Sequence, residues 1–202
     1  MKKLKSSLIN MVVVLTLITI VAGAALAAVN YATSSQIEKI KAENLAKGIK
    51  QVMGVNQNAD FQYTTEEAGD YTFYRSALGT AIQSTTNGFG GALKVLVGFD
   101  NEGTVLGYTI LEHAETPGLG AKAADWFQKG QKGDITGKNP GERKLQVSKD
   151  TNDKNDIDAI TASTITSRAF LLAVQNAYDE LIKQQGTDGT TSATEKGGTG
   201  NE

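Results

Sequence analysis

The sequence contains no cysteine. Disulfides, thiolate-ligated zinc and Cys-held iron–sulfur clusters all need cysteine sulfur, so none of them can form here. A lipid-modified N-terminal cysteine is excluded for the same reason. Histidine is nearly absent too, because His113 is the only one in 202 residues. No set of His, Asp and Glu has the spacing of a metal site, and no metal is predicted.

An excess of charge of either sign is also missing. The chain carries 20 basic and 22 acidic residues, a formal net charge of −2. Proteins that bind nucleic acids usually present a strongly basic face, so a nucleic-acid partner is not expected. The length and the 40% share of hydrophobic residues suit one domain of modest size with accessory segments.

Charge is absent altogether between Lys5 and Glu38. Within this stretch, residues 8–29 are almost wholly apolar and long enough to span a bilayer. A cleaved signal peptide is the alternative, because residues 25–28 (Ala-Leu-Ala-Ala) resemble a cleavage site. The run is longer than a usual signal core, so a retained transmembrane anchor over residues 8–29 is favoured.

The orientation of the anchor follows from the three lysines among the first five residues. Positive charges flanking a membrane helix stay on the cytoplasmic side. We therefore expect residues 1–7 to be cytoplasmic, with a single pass through the cytoplasmic (inner) membrane. The bulk of the chain is expected on the periplasmic, extracytoplasmic side.

The rest of the chain predicts an α+β fold with a twisted, mainly antiparallel sheet and flanking helices. A capping box at Ser35–Glu38 indicates the start of a juxtamembrane helix, within the segment 30–55, that reaches about Met53. A folded domain is expected over residues 56–185, and a disordered tail rich in Gly, Thr, Ser and charge over 186–202. The elements expected within the domain are strands at 71–78 and 145–147, a hairpin of 93–99 with 104–112, and a short helix at 125–129.

The densest group of hydroxyls lies between Thr161 and Ser167, where five of seven residues are Ser or Thr. An amphipathic helix starts inside this group. Its apolar positions recur at helical spacing: Ile165, Ala169, Leu172, Ala173, Ala177 and Leu181. A helix N-terminus offers unpaired N–H groups and a partial positive charge. The hydroxyls therefore either cap the helix, bind a phosphate or carry one covalently.

The stretch from Asp158 to Ser167 resembles the flavinylation motif Asp-x-x-(Ser/Thr)-Gly-Ala-Thr. This motif is typical of the FMN-binding subunits of Rnf-type electron transport complexes and of the sodium-pumping NADH:quinone oxidoreductase. In these families its last threonine holds FMN through a phosphoester bond. The resemblance implies Thr164 as the acceptor, with Asp158 as the leading acid and Thr161 at the Ser/Thr position.

Two positions depart from that motif, since Ala162 stands in place of Gly and Ser163 in place of Ala. Both residues are small, which leaves room for a phosphate to approach. If the family glycine provides a positive φ angle, Ala162 would be strained there.

A second segment, His113 to Gly120, resembles the family loop His-x-Glu-Thr-Pro-Gly-Leu-Gly. By itself Pro117-Gly118 indicates no more than a turn. Together with the threonine motif it implies a loop bordering the flavin ring and hydroxyls facing the phosphate. His113 and Trp126 are interpreted as structural. The implied cofactor-binding residues besides Thr164 are Thr161, Ala162, Ser163, Thr166, Glu115, Thr116, Gly118, Leu119 and Gly120.

The resemblance implies a membrane-anchored flavoprotein subunit of an Rnf-type complex, which couples ferredoxin/NAD electron transfer to ion translocation. Such a subunit relays electrons and is not catalytic alone. Its expected partners are the other membrane subunits of the complex and a flavin transferase for maturation. Two alternatives stay open: the C subunit of the sodium-pumping NADH:quinone oxidoreductase, and an anchored domain that binds a ligand without redox chemistry.

Overall fold

The computed structural model describes residues 8–151, 153 and 156–191, which form two compact units that divide between Asn44 and Leu45. The first helix, α1 (Leu8–Val52), contributes to both units. Within the described ranges it is the one helix long and apolar enough to cross a membrane, and that apolar stretch is unburied. The predicted cytoplasmic segment 1–7 lies outside the described residues.

The predicted start of a separate helix at the capping box is wrong, because α1 passes through Ser35 without interruption. No Gly or Pro occurs there to break it. The hydroxyls just before this point bond to carbonyls of the preceding turn instead of capping a new helix. Thr33 donates to the carbonyl of Val29 (2.8 Å) and Ser34 to that of Tyr31 (3.0 Å).

The second unit is built on a five-stranded antiparallel sheet in which each strand pairs with the next along the chain. Its strands are β1 (Thr64–Ala68), β2 (Tyr71–Ser76), β3 (Gly79–Asn87), β4 (Ala92–Phe99) and β5 (Val105–His113). The predicted α+β class and antiparallel sheet are confirmed, and the predicted hairpin is β4 with β5. The strand predicted at 71–78 ends at Ser76, because a turn leads into Gly79.

The helices of this unit follow the sheet. A 3₁₀ turn (Gly120–Lys122) leads into α2 (Ala123–Trp126), and α3 (Ser148–Thr151) and α4 (Thr164–Thr191) come later. The short helix predicted at 125–129 therefore begins earlier. The strand predicted at 145–147 is wrong, because Val147 makes only an isolated parallel bridge to Ile157.

The two faces of the sheet bury different helices. On one face, alternate β4 residues such as Val95 and Val97 join the larger hydrophobic core with α4 residues such as Phe170 and Val174. On the other face, Leu96 packs in a second cluster with the last turns of α1. The members of that second cluster are Ile49, Val52, Met53, Tyr74, Ala81 and Leu96. The end of α1 is thus part of the core of the second unit, and the predicted domain boundary at residue 56 lies too late in the chain.

The C-terminal helix also runs further than expected. α4 continues to Thr191, so residues 186–191 of the predicted tail lie within this helix. The two glycines of this stretch, Gly186 and Gly189, each weaken the helix by roughly 0.5–1 kcal/mol relative to alanine. These penalties are too small to end a helix anchored by buried Ala177 and Leu181. The remainder of the predicted tail, residues 192–202, lies outside the described residues.

Candidate functional site

The first turn of α4 is closed by two serines. The Ser163 carbonyl accepts the Ser167 N–H (3.0 Å), which opens the helix, and the Ser163 N–H donates to the carbonyl of Ile160 (3.0 Å). The buried Ser167 hydroxyl donates to the Ser163 carbonyl and accepts the Ile160 N–H, both at 3.0 Å. The Ser167 hydroxyl therefore serves the turn itself, whereas Ser163 contributes only its backbone N–H and carbonyl. The half-buried Thr164 stands at the first helical position.

The hydroxyl of Thr164 has no hydrogen-bond partner within the described part of the chain. Around it, the first N–H groups of α4 have no earlier helical carbonyl to bond and carry the positive end of the helix dipole. The Thr164 hydroxyl, which makes no hydrogen bond to the described residues, therefore lies at a helix N-terminus that favours a negatively charged group.

Ala162 carries the strain that its substitution for glycine suggested. Its φ is 61°, and among the described residues it is the only one other than glycine with a positive φ. In this left-handed conformation the Cβ of an L-residue comes too close to a carbonyl oxygen. The backbone thus turns sharply just before Ser163 even though the permissive glycine is absent.

Glu115 joins three segments of the fold. Its side chain is buried, and its Oε1 accepts the N–H groups of Phe89 (2.8 Å) and Gly90 (3.3 Å). Its Oε2 accepts the hydroxyl of Thr166 in the first turn of α4 (2.8 Å). The carboxylate therefore connects the β3–β4 loop, the loop after β5 and the start of α4. Hydrogen bonds to charged groups are each worth about 1.5–3 kcal/mol.

Glycines make room for this carboxylate. A Cβ added at Gly88 would lie 2.0 Å from Oε1 of Glu115, and one added at Gly120 would lie 2.3 Å from Oε2. A Cβ at Gly90 would lie 2.1 Å from the carbonyl oxygen of Ala114. In the sequence, the glycines at positions 88, 90 and 91 indicate no more than a turn. Glu115 bonds two N–H groups of this turn that lie 25 and 26 residues away in the chain, so the contact could not be inferred from local spacing.

The loop after β5 and the start of α4 border one cavity of about 410 Å³. Its lining residues are Phe89, Glu115, Thr116, Leu119, Gly120, Ala162, Ser163, Thr164, Ile165 and Thr166. All the predicted site residues except Thr161 and Gly118 lie there. Thr161 is exposed in the turn before α4. Gly118 has a φ of 76° and open space around it, so it serves the turn of its loop.

Phe89 and Ile165 line the cavity although they were not among the predicted site residues. The periodicity of α4 assigned Ile165 to its buried apolar face, but its side chain is 52% exposed. Phe89 lies between glycines that indicate a turn, and it belongs to no sequence motif. A large apolar residue between glycines, in a loop where nothing would bury it, was the available signal.

Trp126, Asp158 and His113, which the sequence also singled out, lie outside the cavity and hold the segments that border it. The Trp126 indole N–H donates to the carbonyl of Asp158 (2.8 Å), and the Ser148 hydroxyl donates to the Asp158 carboxylate (3.2 Å). Asp158 thus fixes the loop that leads to α4. The Nδ1 atom of His113 accepts the N–H of Glu115 (3.2 Å), a bond that shapes the backbone of the loop.

Two polar contacts support these segments. The Arg168 guanidinium in α4 bonds both carboxylate oxygens of Asp150 in α3 and holds the pKa of that carboxyl below its usual range. The buried Tyr108 hydroxyl donates to the carbonyl of Ala123 (2.6 Å) and accepts the N–H of Phe127 (3.1 Å). Burial raises the pKa of Tyr108.

Comparison with known proteins adds to this geometry. A family model described as an FMN-binding domain matches residues 88–179, a range that contains every residue lining the cavity. The G subunit of the Na⁺-translocating ferredoxin:NAD⁺ oxidoreductase complex of Acetobacterium woodii is 32% identical over 200 residues. That alignment covers 84% of this chain and 91% of the relative. The chain belongs to the family of G subunits of ion-translocating oxidoreductase complexes.

Two further family members agree with this. The G subunit of a proton-translocating ferredoxin:NAD⁺ oxidoreductase complex of Clostridium ljungdahlii is 30% identical over 174 residues, covering 83% of this chain and 88% of the relative. The G subunit of an ion-translocating oxidoreductase complex of Vibrio vulnificus is 38% identical over 108 residues. There the alignment spans about half of each protein, 51% of this chain and 49% of the relative. The predicted family and FMN-binding domain are confirmed.

The residues of the cavity fit FMN. The volume of the cavity, about 410 Å³, is within the range of ligand pockets, about 300–1,000 Å³. Hydroxyls and the N-terminus of α4 suit a phosphate, whereas Phe89, Leu119 and Ile165 offer apolar surface to a planar ring. The buried carboxylate of Glu115 accepts three hydrogen bonds, which offset the cost of burying it beside the cavity.

Proposed function

We propose that Thr164 carries FMN through a phosphoester bond and that the protein relays electrons as the G subunit of an Rnf-type complex. The observation that carries the proposal is the hydroxyl of Thr164. It lines the cavity at the N-terminus of α4 without a hydrogen-bond partner among the described residues, whereas the hydroxyls of Ser167 and Thr166 are bonded within the fold. The cavity-lining hydroxyl of Ser163 has no partner among these residues either, and the acceptor position of the flavinylation motif favours Thr164 over it. An oxygen that accepts a phosphoryl group must not be held in a hydrogen bond within the fold, and the Thr164 hydroxyl oxygen meets this requirement.

The attachment requires a flavin transferase and FAD as the donor. The Thr164 oxygen forms a new bond to the phosphorus of the FMN half, the bond between the two phosphates breaks, and AMP leaves. The hydroxyl proton passes to a base of the transferase or to solvent. The phosphodiester keeps one negative charge, which the positive end of α4 stabilises by about 0.3–1 kcal/mol. Bound FMN then supplies the redox chemistry, and the protein holds and orients it.

The role in the complex follows from family membership. Both ferredoxin:NAD⁺ oxidoreductases among the relatives are ion pumps, one named for sodium and the other for protons. We infer the same coupling of ferredoxin/NAD electron transfer to ion translocation here, with other membrane subunits as partners. The C subunit of the sodium-pumping NADH:quinone oxidoreductase is less favoured, because the three relatives compared are all G subunits of the other kind of complex.

We also propose that α1 anchors the chain in the cytoplasmic membrane, with the second unit on the extracytoplasmic side. The apolar stretch of α1 and the lysines before it support this orientation. A covalent bond has a clear advantage there, because flavin lost outside the cytoplasm could not be replaced from the cytoplasmic pool.

The attachment site is tested by replacing Thr164 in the full chain, expressed with a flavin transferase. Thr164→Ala removes the acceptor oxygen, so covalent flavin fluorescence should vanish in denaturing gels while the protein still folds. In the unaltered chain, peptide mass mapping should find Thr164 heavier by FMN minus water. The same result distinguishes a flavoprotein from an anchored domain without redox chemistry.

Two matched threonine variants serve as controls. Thr161→Ala changes an exposed residue that lies outside the cavity. Thr166→Ala removes the hydrogen bond from the Thr166 hydroxyl to Glu115, which is worth about 1.5–3 kcal/mol. Thr161→Ala should leave flavin attachment nearly unchanged, and Thr166→Ala should reduce it without abolishing it. FMN found on Thr161 or Thr166, or an unmodified Thr164 despite active transferase, would contradict the assignment.

A further inference from the structure

Phe89 is a large apolar side chain that the fold leaves in the open. It lies in the loop between β3 and β4, it is 69% exposed, and it lines the cavity beside Thr164. Burying a phenylalanine side chain against an apolar partner is stabilising. Its ring makes no aromatic contact within the described residues, so this stabilisation is still available to a ligand.

The backbone that carries Phe89 is constrained on both sides. Its N–H is held by Oε1 of Glu115 at 2.8 Å, and the Gly88 N–H donates to the carbonyl of Gly91 at 2.8 Å, which closes the turn. Gly88 and Gly90 have no room for a Cβ. The exposure of the ring is therefore built into the loop and is not a consequence of a loose chain.

Two further exposed apolar side chains line the same cavity. Leu119, in the loop after β5, is 43% exposed, and Ile165, in the first turn of α4, is 52% exposed. Single exposed apolar residues are common on protein surfaces and need no explanation. Here three of them come from three separate segments, and they share one cavity with a cluster of hydroxyls at a helix N-terminus.

We propose that Phe89, together with Leu119 and Ile165, forms the seat of the isoalloxazine ring, with Phe89 packing against the ring. Glu115 acts as the positioning residue, because it holds the backbone of Phe89 and the first turn of α4 with one carboxylate. The inference rests on the proposed function, since it takes FMN as the ligand. It adds an aromatic contact that neither the flavinylation motif nor the Glu115 loop contains.

The first test places a tryptophan at this position in the flavin-loaded full chain. Tryptophan in contact with an excited flavin quenches it by electron transfer. Phe89→Trp should therefore lower the flavin fluorescence yield and lifetime severalfold at unchanged FMN content by mass. Leu78→Trp is the matched control, because Leu78 is similarly exposed (53%) in the turn between β2 and β3 and does not line the cavity. That control should leave the lifetime unchanged.

The second test does not depend on covalent attachment. In full-length Thr164→Ala protein, riboflavin, which has the ring but no phosphate, is titrated and its binding is followed by fluorescence. Aromatic packing predicts that adding Phe89→Ala weakens binding by about two- to tenfold, whereas adding Leu78→Ala has no effect. Glu115→Ala should weaken it as well, and Glu115→Gln, which keeps an acceptor for the Phe89 N–H, should restore most of the loss.

The outcomes separate the two proposals. Phe89-dependent riboflavin binding with no FMN on Thr164 would overturn the covalent attachment and keep the seat. Normal FMN on Thr164, with an unquenched Phe89→Trp and no effect of Phe89→Ala, would overturn the seat.

Discussion

Ala162 adopts a left-handed backbone, with φ of 61°, directly before the serine that opens α4. For an L-residue this conformation costs roughly 1–2 kcal/mol compared with the right-handed one. The turn must be stabilised by what surrounds it, above all by the buried Ser167 hydroxyl that bridges Ile160 and Ser163. The position of Thr164 therefore depends on a strained residue held by a buried hydroxyl.

Ala162→Gly should stabilise the protein. Glycine adopts a positive φ without steric cost, but it also gains freedom in the unfolded chain, which offsets part of the gain. We expect a net increase in the free energy of unfolding of about 0.5–1 kcal/mol by denaturant titration. The control is Ala124→Gly in α2, where the helical backbone gives glycine no advantage and stability should fall. Equal effects of the two substitutions would show that the turn at Ala162 is not strained.

The sequence motifs pointed to individual residues of the site but did not reveal which segments those residues hold together. The motif singled out Thr164, and its departure at Ala162 correctly suggested a positive φ. The same motifs did not reveal that Glu115 joins three segments, because its contact with Thr166 connects residues 51 positions apart. Long-range contacts of this kind leave no periodic pattern in the chain.

At the scale of elements, the decisive contact is that of α1 with the β4–β5 hairpin. The carbonyl of Val52 comes so close to β4 that a Cβ at Gly98 would lie 2.4 Å from its oxygen. A Cβ added at Gly107, the paired glycine on β5, would lie 3.4 Å from the same oxygen, which is an ordinary contact distance. Gly98 is thus required by helix–sheet packing, whereas Gly107 is not.

Gly98→Ala should therefore destabilise the protein by about 1–3 kcal/mol, the usual penalty for overpacking a core. Gly107→Ala at the paired position should be nearly neutral. Thermal unfolding of the two full-length variants in detergent measures the difference. If Gly107→Ala proves as damaging as Gly98→Ala, a general requirement for glycine in this hairpin would replace the steric explanation.

Elements with a strong pattern were predicted well, and those that depend on neighbours were not. The hairpin of β4 and β5 alternates around a tight turn, and α4 has clear helical spacing. β1 is an exposed edge strand of sequence Thr-Thr-Glu-Glu-Ala, and β3 buries a serine, Ser84, so neither resembles a strand by hydrophobic alternation. They are strands because β2 and β4 pair with them.

For the molecule as a whole, the second unit begins at Leu45, before the end of α1. Ile49 and Val52 are fully buried against the sheet, and burying each is worth roughly 1.5–3 kcal/mol. A boundary at residue 56, although it falls in a loop, would remove one wall of a hydrophobic core. Turn signals identify loops, but they do not reveal which side of a loop completes the core.

Two fragments test this boundary. A fragment of residues 41–191 keeps the last turns of α1 and should be soluble, unfold cooperatively and accept FMN on Thr164 from the transferase. A fragment of residues 56–191 exposes Tyr74, Ala81 and Leu96 and should aggregate or unfold at a much lower temperature. Circular dichroism melts and size-exclusion chromatography compare the two. Equal stability of both fragments would show that the end of α1 is dispensable.

Because the core is complete from Leu45 onward, the exposed turns of α1 between residues 30 and 44 can be cut without unfolding the second unit. If α1 anchors the chain and Thr164 carries FMN as proposed, a protease acting there would turn a carrier confined to the membrane plane into one that diffuses freely in three dimensions. Its collision rate with fixed partners would then depend on its bulk concentration, and electron flow would become limited by encounter. On the proposed function, an intact stretch at 30–44 would keep the flavin with one complex, and a cut stretch would let many complexes share it.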